Sequence, residues 1–169
     1  MSANDELAFL GEEFLTWLWF VLENEGGDFE IGPRRTVGVA MDDFIVFAPR
    51  EDDETEQTLR KGMPTRSREA RAALRNGRRL RKARLVIAEG EATYGVVIDG
   101  PTLQLQSAKL PDDGEEATTP AERNASRMQS FLALHEIVDG LYRRFLAERL
   151  QPDYAKTRAT SQARWMAAE

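Results

Sequence analysis

An α+β fold, with an antiparallel β-meander sheet packed against an aromatic-rich N-terminal helix and a long C-terminal helix, is predicted by three features of the chain. Apolar residues recur at three-and-four spacing near both ends, and the middle holds runs that alternate with period two. At 169 residues and 41% hydrophobic content, the chain can bury one ordinary core but is short for two. One domain over residues 1–169 is expected, with its core over 5–150 and a helical extension over 151–169.

The first helix, Glu6–Leu22, is predicted from Leu7, Leu10, Phe14, Trp17, Leu18 and Val21, and Gly26 and Gly27 end it. Trp17 and Trp19 lie about 200° apart on a helical wheel, so this helix needs cover on two sides. A sheet supplies one. The other is either a further helix, which makes Phe14, Trp17, Trp19 and Phe20 core, or a second subunit, which makes them an oligomer interface.

Two strands follow, Arg35–Met41 and Asp43–Phe47, the second stopped by Pro49, and an acidic loop covers residues 50–57. Ser67 has the chemistry of an N-cap and Gly77 that of a C′ residue, which frames a short helix with Ala70, Ala73 and Leu74 on one side. Residues 82–88, 92–98 and 102–108 then form the meander, with turns at Gly90 and at Asp99-Gly100-Pro101. In its first strand Ala83, Leu85 and Ile87 face inward while Lys82 and Arg84 face out.

After a polar stretch over Pro111–Thr119, Met128, Phe131, Leu134, Val138, Leu141, Tyr142 and Phe145 place one stripe on a helix over Pro120–Leu150. Gly140 inside it lowers helix propensity by about 1 kcal/mol relative to Ala, which points to close backbone packing there. A short helix with Trp165 follows Pro152.

Function is signalled by charge. Residues 60–84 hold eleven of the chain's twenty-three Lys and Arg residues against one acid, Glu69, although the whole chain is net −6. Segregation of this kind points to an anionic partner. The alternative is a solvated face neutralised by Glu51, Asp52, Asp53, Glu54 and Glu56 just before it. On the short helix Arg68, Arg71 and Arg75 lie within about 60° of one another. Together with Arg78, Arg79, Lys82 and Arg84 they make a candidate ridge for the phosphates of double-stranded DNA. No aromatic residue lies between Arg60 and Arg84, which argues against a single-strand stacking platform in this segment.

Catalytic patterns are missing: the sequence has no glycine-rich phosphate loop, zinc spacing or nucleophile elbow. His135, the only histidine, falls near the apolar stripe of the long helix, where a helix-interface role is expected. Asp42-Asp43 and Asp52-Asp53 do not converge as Mg²⁺ ligands. A non-enzyme with no cofactor and no metal site is expected. The chain has no Cys, and its longest near-apolar run, Phe14–Leu22, is too short to span a bilayer, so a soluble cytoplasmic protein is expected.

Four blocks in order, FLGEEFLTWLWF (Phe9–Phe20), SREARAALRNGRRLRKARL (Ser67–Leu85), LQLQSAKLP (Leu103–Pro111) and DGLYRRFLAERL (Asp139–Leu150), resemble the C-terminal half of the bacterial RdgC recombination-associated proteins. The resemblance implies a nucleoid-associated protein that binds duplex DNA without sequence preference, forms a ring-like dimer around it and restrains a RecA-type recombinase. It also implies a homo-oligomer, or a partner protein that supplies the absent N-terminal half. Against this stands a protein-interaction module, in which the basic ridge docks an acidic partner or the acidic loops 51–56 and 112–116 imitate DNA.

Overall fold

Two faces of one long helix are covered by different parts of the same chain. The computed structural model describes residues 3–49, 54–111 and 119–168, with the side chains of residues 3–8 excepted. Its elements in order are α1 (Ala3–Asn24), β1 (Asp28–Gly32), β2 (Arg35–Phe47), β3 (Gln57–Arg60), a 3-10 turn (Pro64–Arg66), α2 (Arg68–Arg75), β4 (Leu80–Glu89), β5 (Ala92–Asp99), β6 (Gln104–Lys109), α3 (Pro120–Arg149) and α4 (Arg158–Ala167). The strands form one antiparallel sheet in the order β1-β2-β4-β5-β6, with β3 also paired to β2. The predicted α+β class is therefore the observed one.

On α1, Trp17 packs against Phe14, Phe29 and Phe145, while Trp19 meets Phe47 and Trp165. The two indoles do need separate cover, and α3 with β1 covers one while the sheet with α4 covers the other. Phe14, Trp17, Trp19 and Phe20 are at most 5% exposed in the single chain. As an oligomer interface these four residues are thus corrected to core: no surface of theirs is left for a second subunit. Their polar edges are satisfied, since Trp17 Nε1 donates to Glu148 at 2.8 Å and Trp19 Nε1 donates to Glu23 at 2.7 Å.

The meander and both flanking helices lie where the alternation and stripe patterns place them. The apolar stripe of α3 starts later than predicted, at Leu134, because Met128 is 59% exposed. His135 is exposed and packs edge-on to Phe131 rather than at a helix interface. Close packing at Gly140 holds, since a Cβ there would stand 2.8 Å from Ile31 Cβ on β1. β1 and β3 are not predicted, because five and four residues are too short a window for period two to emerge. Both exist by pairing with β2.

The two strands expected over 35–47 are one strand, β2, thirteen residues long. Against β4, Met41 stands opposite Leu85 and Ile45 opposite Ala83, so four steps on β2 match two on β4. Asp42 and Asp43 sit in this bulge, which interrupts the apolar alternation without ending the strand.

All three tyrosines, Tyr94, Tyr142 and Tyr154, have hydroxyls that burial pushes above their ordinary value, Tyr154 up to about 12 with Glu13 acting in the same direction. The neutral phenols are favoured by the fold, so their contribution is complete below the unfolded value of about 10 and is lost as pH rises above it. Alkaline titration of tyrosinate absorbance should show ionisation above the ordinary tyrosine value in the folded protein, with Tyr154 ionising at about 12, and Tyr154→Phe should flatten the alkaline loss of stability. Ionisation of all three near 10 while folded would refute it.

Candidate nucleic-acid interface

The basic segment is organised by α2, whose ends follow from two residues. Ser67 Oγ accepts a hydrogen bond from Ala70 N–H at 3.1 Å, and Gly77 takes the left-handed conformation at φ 75°. Ala70, Ala73 and Leu74 are buried, which turns Arg68, Arg71 and Arg75 outward. Ser67→Ala should lower stability by about 1 kcal/mol, read as a fall in the thermal midpoint, whereas Ser67→Asp should restore it.

Arg66, Ser67, Arg68, Arg71 and Arg75 line an open recess of about 320 Å³. Arg66, Arg68 and Arg75 are exposed and form no ion pair with a described residue. Arg71 is held differently. It pairs with Glu23, whose carboxylate also accepts from Trp19 Nε1 and Trp165 Nε1. Its guanidinium stands 5.8 Å from the Trp19 ring centroid and 5.4 Å from that of Trp165. Arg71 is therefore a fixed wall of the recess, with its charge largely met by Glu23.

The other four members of the predicted ridge go elsewhere. Arg78 donates to the carbonyls of Thr55 at 2.8 Å and Ala48 at 3.3 Å, tying the β2–β3 connection to the end of α2. Arg79 lies 4.1 Å over the Phe9 ring. It also faces Glu12, whose carboxyl is pushed up by burial against the opposing pull of Arg79 and Arg81.

Lys82 pairs with Asp99 at 3.1 Å and Arg84 with Asp43 at 2.8 Å. Both alternate with inward Ala83 and Leu85, so they project from the sheet face opposite the helices. One continuous ridge does not form: the arginines of α2 lie on the helical side and Lys82 and Arg84 on the other.

The predicted ridge leaves out two residues, one of which, Arg66, is counted in the basic segment. Arg66 joins the recess from the 3-10 turn, and its place directly before the Ser67 cap is a sequence signal for that position. Phe44 lies between Arg60 and Arg84 on the outer sheet face, with both guanidinium groups over its ring at 5.0 and 5.8 Å. That aromatic comes from β2, outside the basic segment.

Of the acidic loop, Glu56 pairs with Arg81 beside β4, while Glu51, Asp52 and Asp53 lie outside the described residues, as do 112–116. Asp43 is committed to Arg84, and among the described residues no group of His, Asp and Glu is placed to hold a metal ion. No described helix is long and apolar enough to cross a membrane. No family model matches the chain, and neither a curated protein nor a solved structure is similar to it.

Proposed function

We propose that this protein is a non-enzymatic binder of double-stranded DNA that contacts the phosphate backbone, without sequence preference, through the α2 recess. The observation that carries this reading is the set of three exposed arginines, Arg66, Arg68 and Arg75, that have no described carboxylate partner in a chain of net charge −6. Arg71, Arg81, Lys82 and Arg84 are each met by a carboxylate, whereas these three arginines share one recess without one among the described residues, which favours an external anion. The first-turn N–H groups of Arg68 and Glu69 lack helical acceptors and add to the positive potential. The resemblance to RdgC proteins extends the proposal to a recombination-associated role, in which occupancy of the duplex limits recombinase access.

The salt dependence tests it quantitatively. Three phosphate contacts give a slope of log affinity against log salt of about −2.7, hence a loss of about fortyfold between 50 and 200 mM, whereas six contacts would give about −5.4. Fluorescence anisotropy on unrelated duplexes should return the shallower slope and equal affinities. Absence of binding at low salt removes the proposal, and a slope near the steeper value moves the interface off α2.

A further inference from the structure

We propose that the protein also carries a docking groove for a short acidic peptide with one apolar anchor residue, and that this peptide competes with nucleic acid. The competition rests on the DNA reading above; the groove itself does not.

The groove arises from the way β2 is paired. β1 covers one edge of β2 as far as Gly38, and β3 covers the same edge only from Phe44 onward. Val39 N–H still donates to Gly27 O, and Asp43 O accepts from Lys61 N–H, but between these two bonds no described strand pairs with that edge. The gap opens into a depression of about 510 Å³ between the C-terminal end of α1, β2 and the 3-10 turn. Its accessible apolar lining comes from Leu22, Met41 and Met63, above a floor formed by buried Trp19 and Val39. Met63 is 61% exposed, and two unbranched methionines adapt to anchors of different shape.

The occupant's charge follows from what adjoins the apolar part. Arg66 and Arg71 line both this groove and the arginine recess, so the two depressions adjoin; Glu23 also lines the groove but is paired with Arg71, which leaves Arg66 as the open charge between them. A segment with an aliphatic or aromatic side chain beside Met41 and Met63 thereby carries its neighbouring residues to Arg66, Arg68 and Arg75. Carboxylates satisfy those guanidinium groups as phosphates do, and an extended backbone can pair with the open edge of β2. Because Arg66 serves both ligands, peptide and duplex exclude one another.

The test uses the full chain and a dye-labelled synthetic peptide in which one Leu is flanked by Asp and Glu, with a second peptide carrying Ser in place of Leu. Burying one Leu side chain is worth enough to raise affinity tenfold to about a hundredfold. The Leu peptide should therefore bind at least about tenfold tighter than the Ser peptide, and unlabelled Leu peptide should displace labelled duplex. Met63→Ser, at an exposed position, should erase the difference between the peptides and leave duplex affinity unchanged.

Equal binding of the two peptides would overturn the groove and leave only charge attraction. Failure of both peptides with duplex binding intact would overturn the groove and spare the DNA reading. A single-stranded oligonucleotide that binds more tightly than the Leu peptide, and is lost on Met63→Ser, would also overturn it by assigning the groove to a base. Peptide binding without any duplex binding would keep the groove and remove the competition.

Discussion

Replacing Arg66, Arg68 and Arg75 together by Glu is expected to abolish duplex binding at low salt, while the paired replacement of Lys82 and Arg84 leaves it near the parent value. The three recess arginines are exposed and unpaired among the described residues, so reversing them removes the attraction and puts three carboxylates where phosphates would sit. With three contacts, loss of the electrostatic term alone is worth at least about a hundredfold at 50 mM salt. Lys82 and Arg84 are the internal control. Each already faces a carboxylate, Asp99 or Asp43, on the opposite face of the sheet. The half-exposed Arg84–Asp43 pair contributes about 0–1 kcal/mol, whereas Asp99 is buried and loses its cation in the control, so circular dichroism on both variants must show that the fold is kept before affinities are compared. Equal loss in the two variants would mean that DNA reads the sheet face, and no loss in the triple variant would end the α2 proposal.

Arg71 serves to separate a binding role from a structural one. Its guanidinium is clasped by Glu23 between two indoles, so Arg71→Ala should alter tryptophan fluorescence and lower stability. The contribution of Arg71 to duplex affinity should be small beside that of Arg75, because much of its charge is already spent on Glu23.

What the sequence made legible was local. The Ser67 cap, the Gly77 terminus, the inward set Ala83, Leu85 and Ile87 and the close approach at Gly140 each depend on a few neighbouring residues or on one periodic stripe. The need for cover on both sides of α1 was equally legible from the angle between Trp17 and Trp19. Which part of the molecule supplies that cover was not, because Phe145 and Trp165 lie more than a hundred residues away in the chain.

The site follows the same rule. The charge excess of residues 60–84 could be counted, but its neutralisation depends on Glu23, Asp43 and Asp99, which arrive from α1, β2 and β5. Period two correctly put Lys82 and Arg84 on one face of a strand. It carried no information about which side of the sheet α2 would occupy, and that relation divides the ridge. The bulge at Asp42 and Asp43 was hidden for a different reason: in a sequence, two polar residues that break alternation read as a strand end.

Gly11→Ala should be among the most destabilising single changes available, although helix propensity alone predicts a gain of up to about 1 kcal/mol. A Cβ at Gly11 would stand 1.7 Å from Gly100 O and 2.3 Å from its carbonyl carbon. The obstructing atoms are backbone, and they are fixed from the other side by the 2.7 Å hydrogen bond from Gly100 N–H to Arg81 O. Neither can swing away as a side chain would, so α1 itself must move. That displacement disturbs the packing of Phe14 and Trp17 against Phe145, where all three rings are fully buried. Overpacking usually costs 1–3 kcal/mol, and a clash with backbone on both sides belongs at or above about 3 kcal/mol. For a domain of this size that lowers the thermal midpoint by roughly 6–12 °C. Gly32→Ala is the matched control, since a Cβ there meets nothing within 4 Å, and its midpoint should hardly change. A Gly11→Ala protein as stable as the parent would mean that α1 does not rest on the Gly100 turn, and with it the seating of the aromatic core would have to be redrawn.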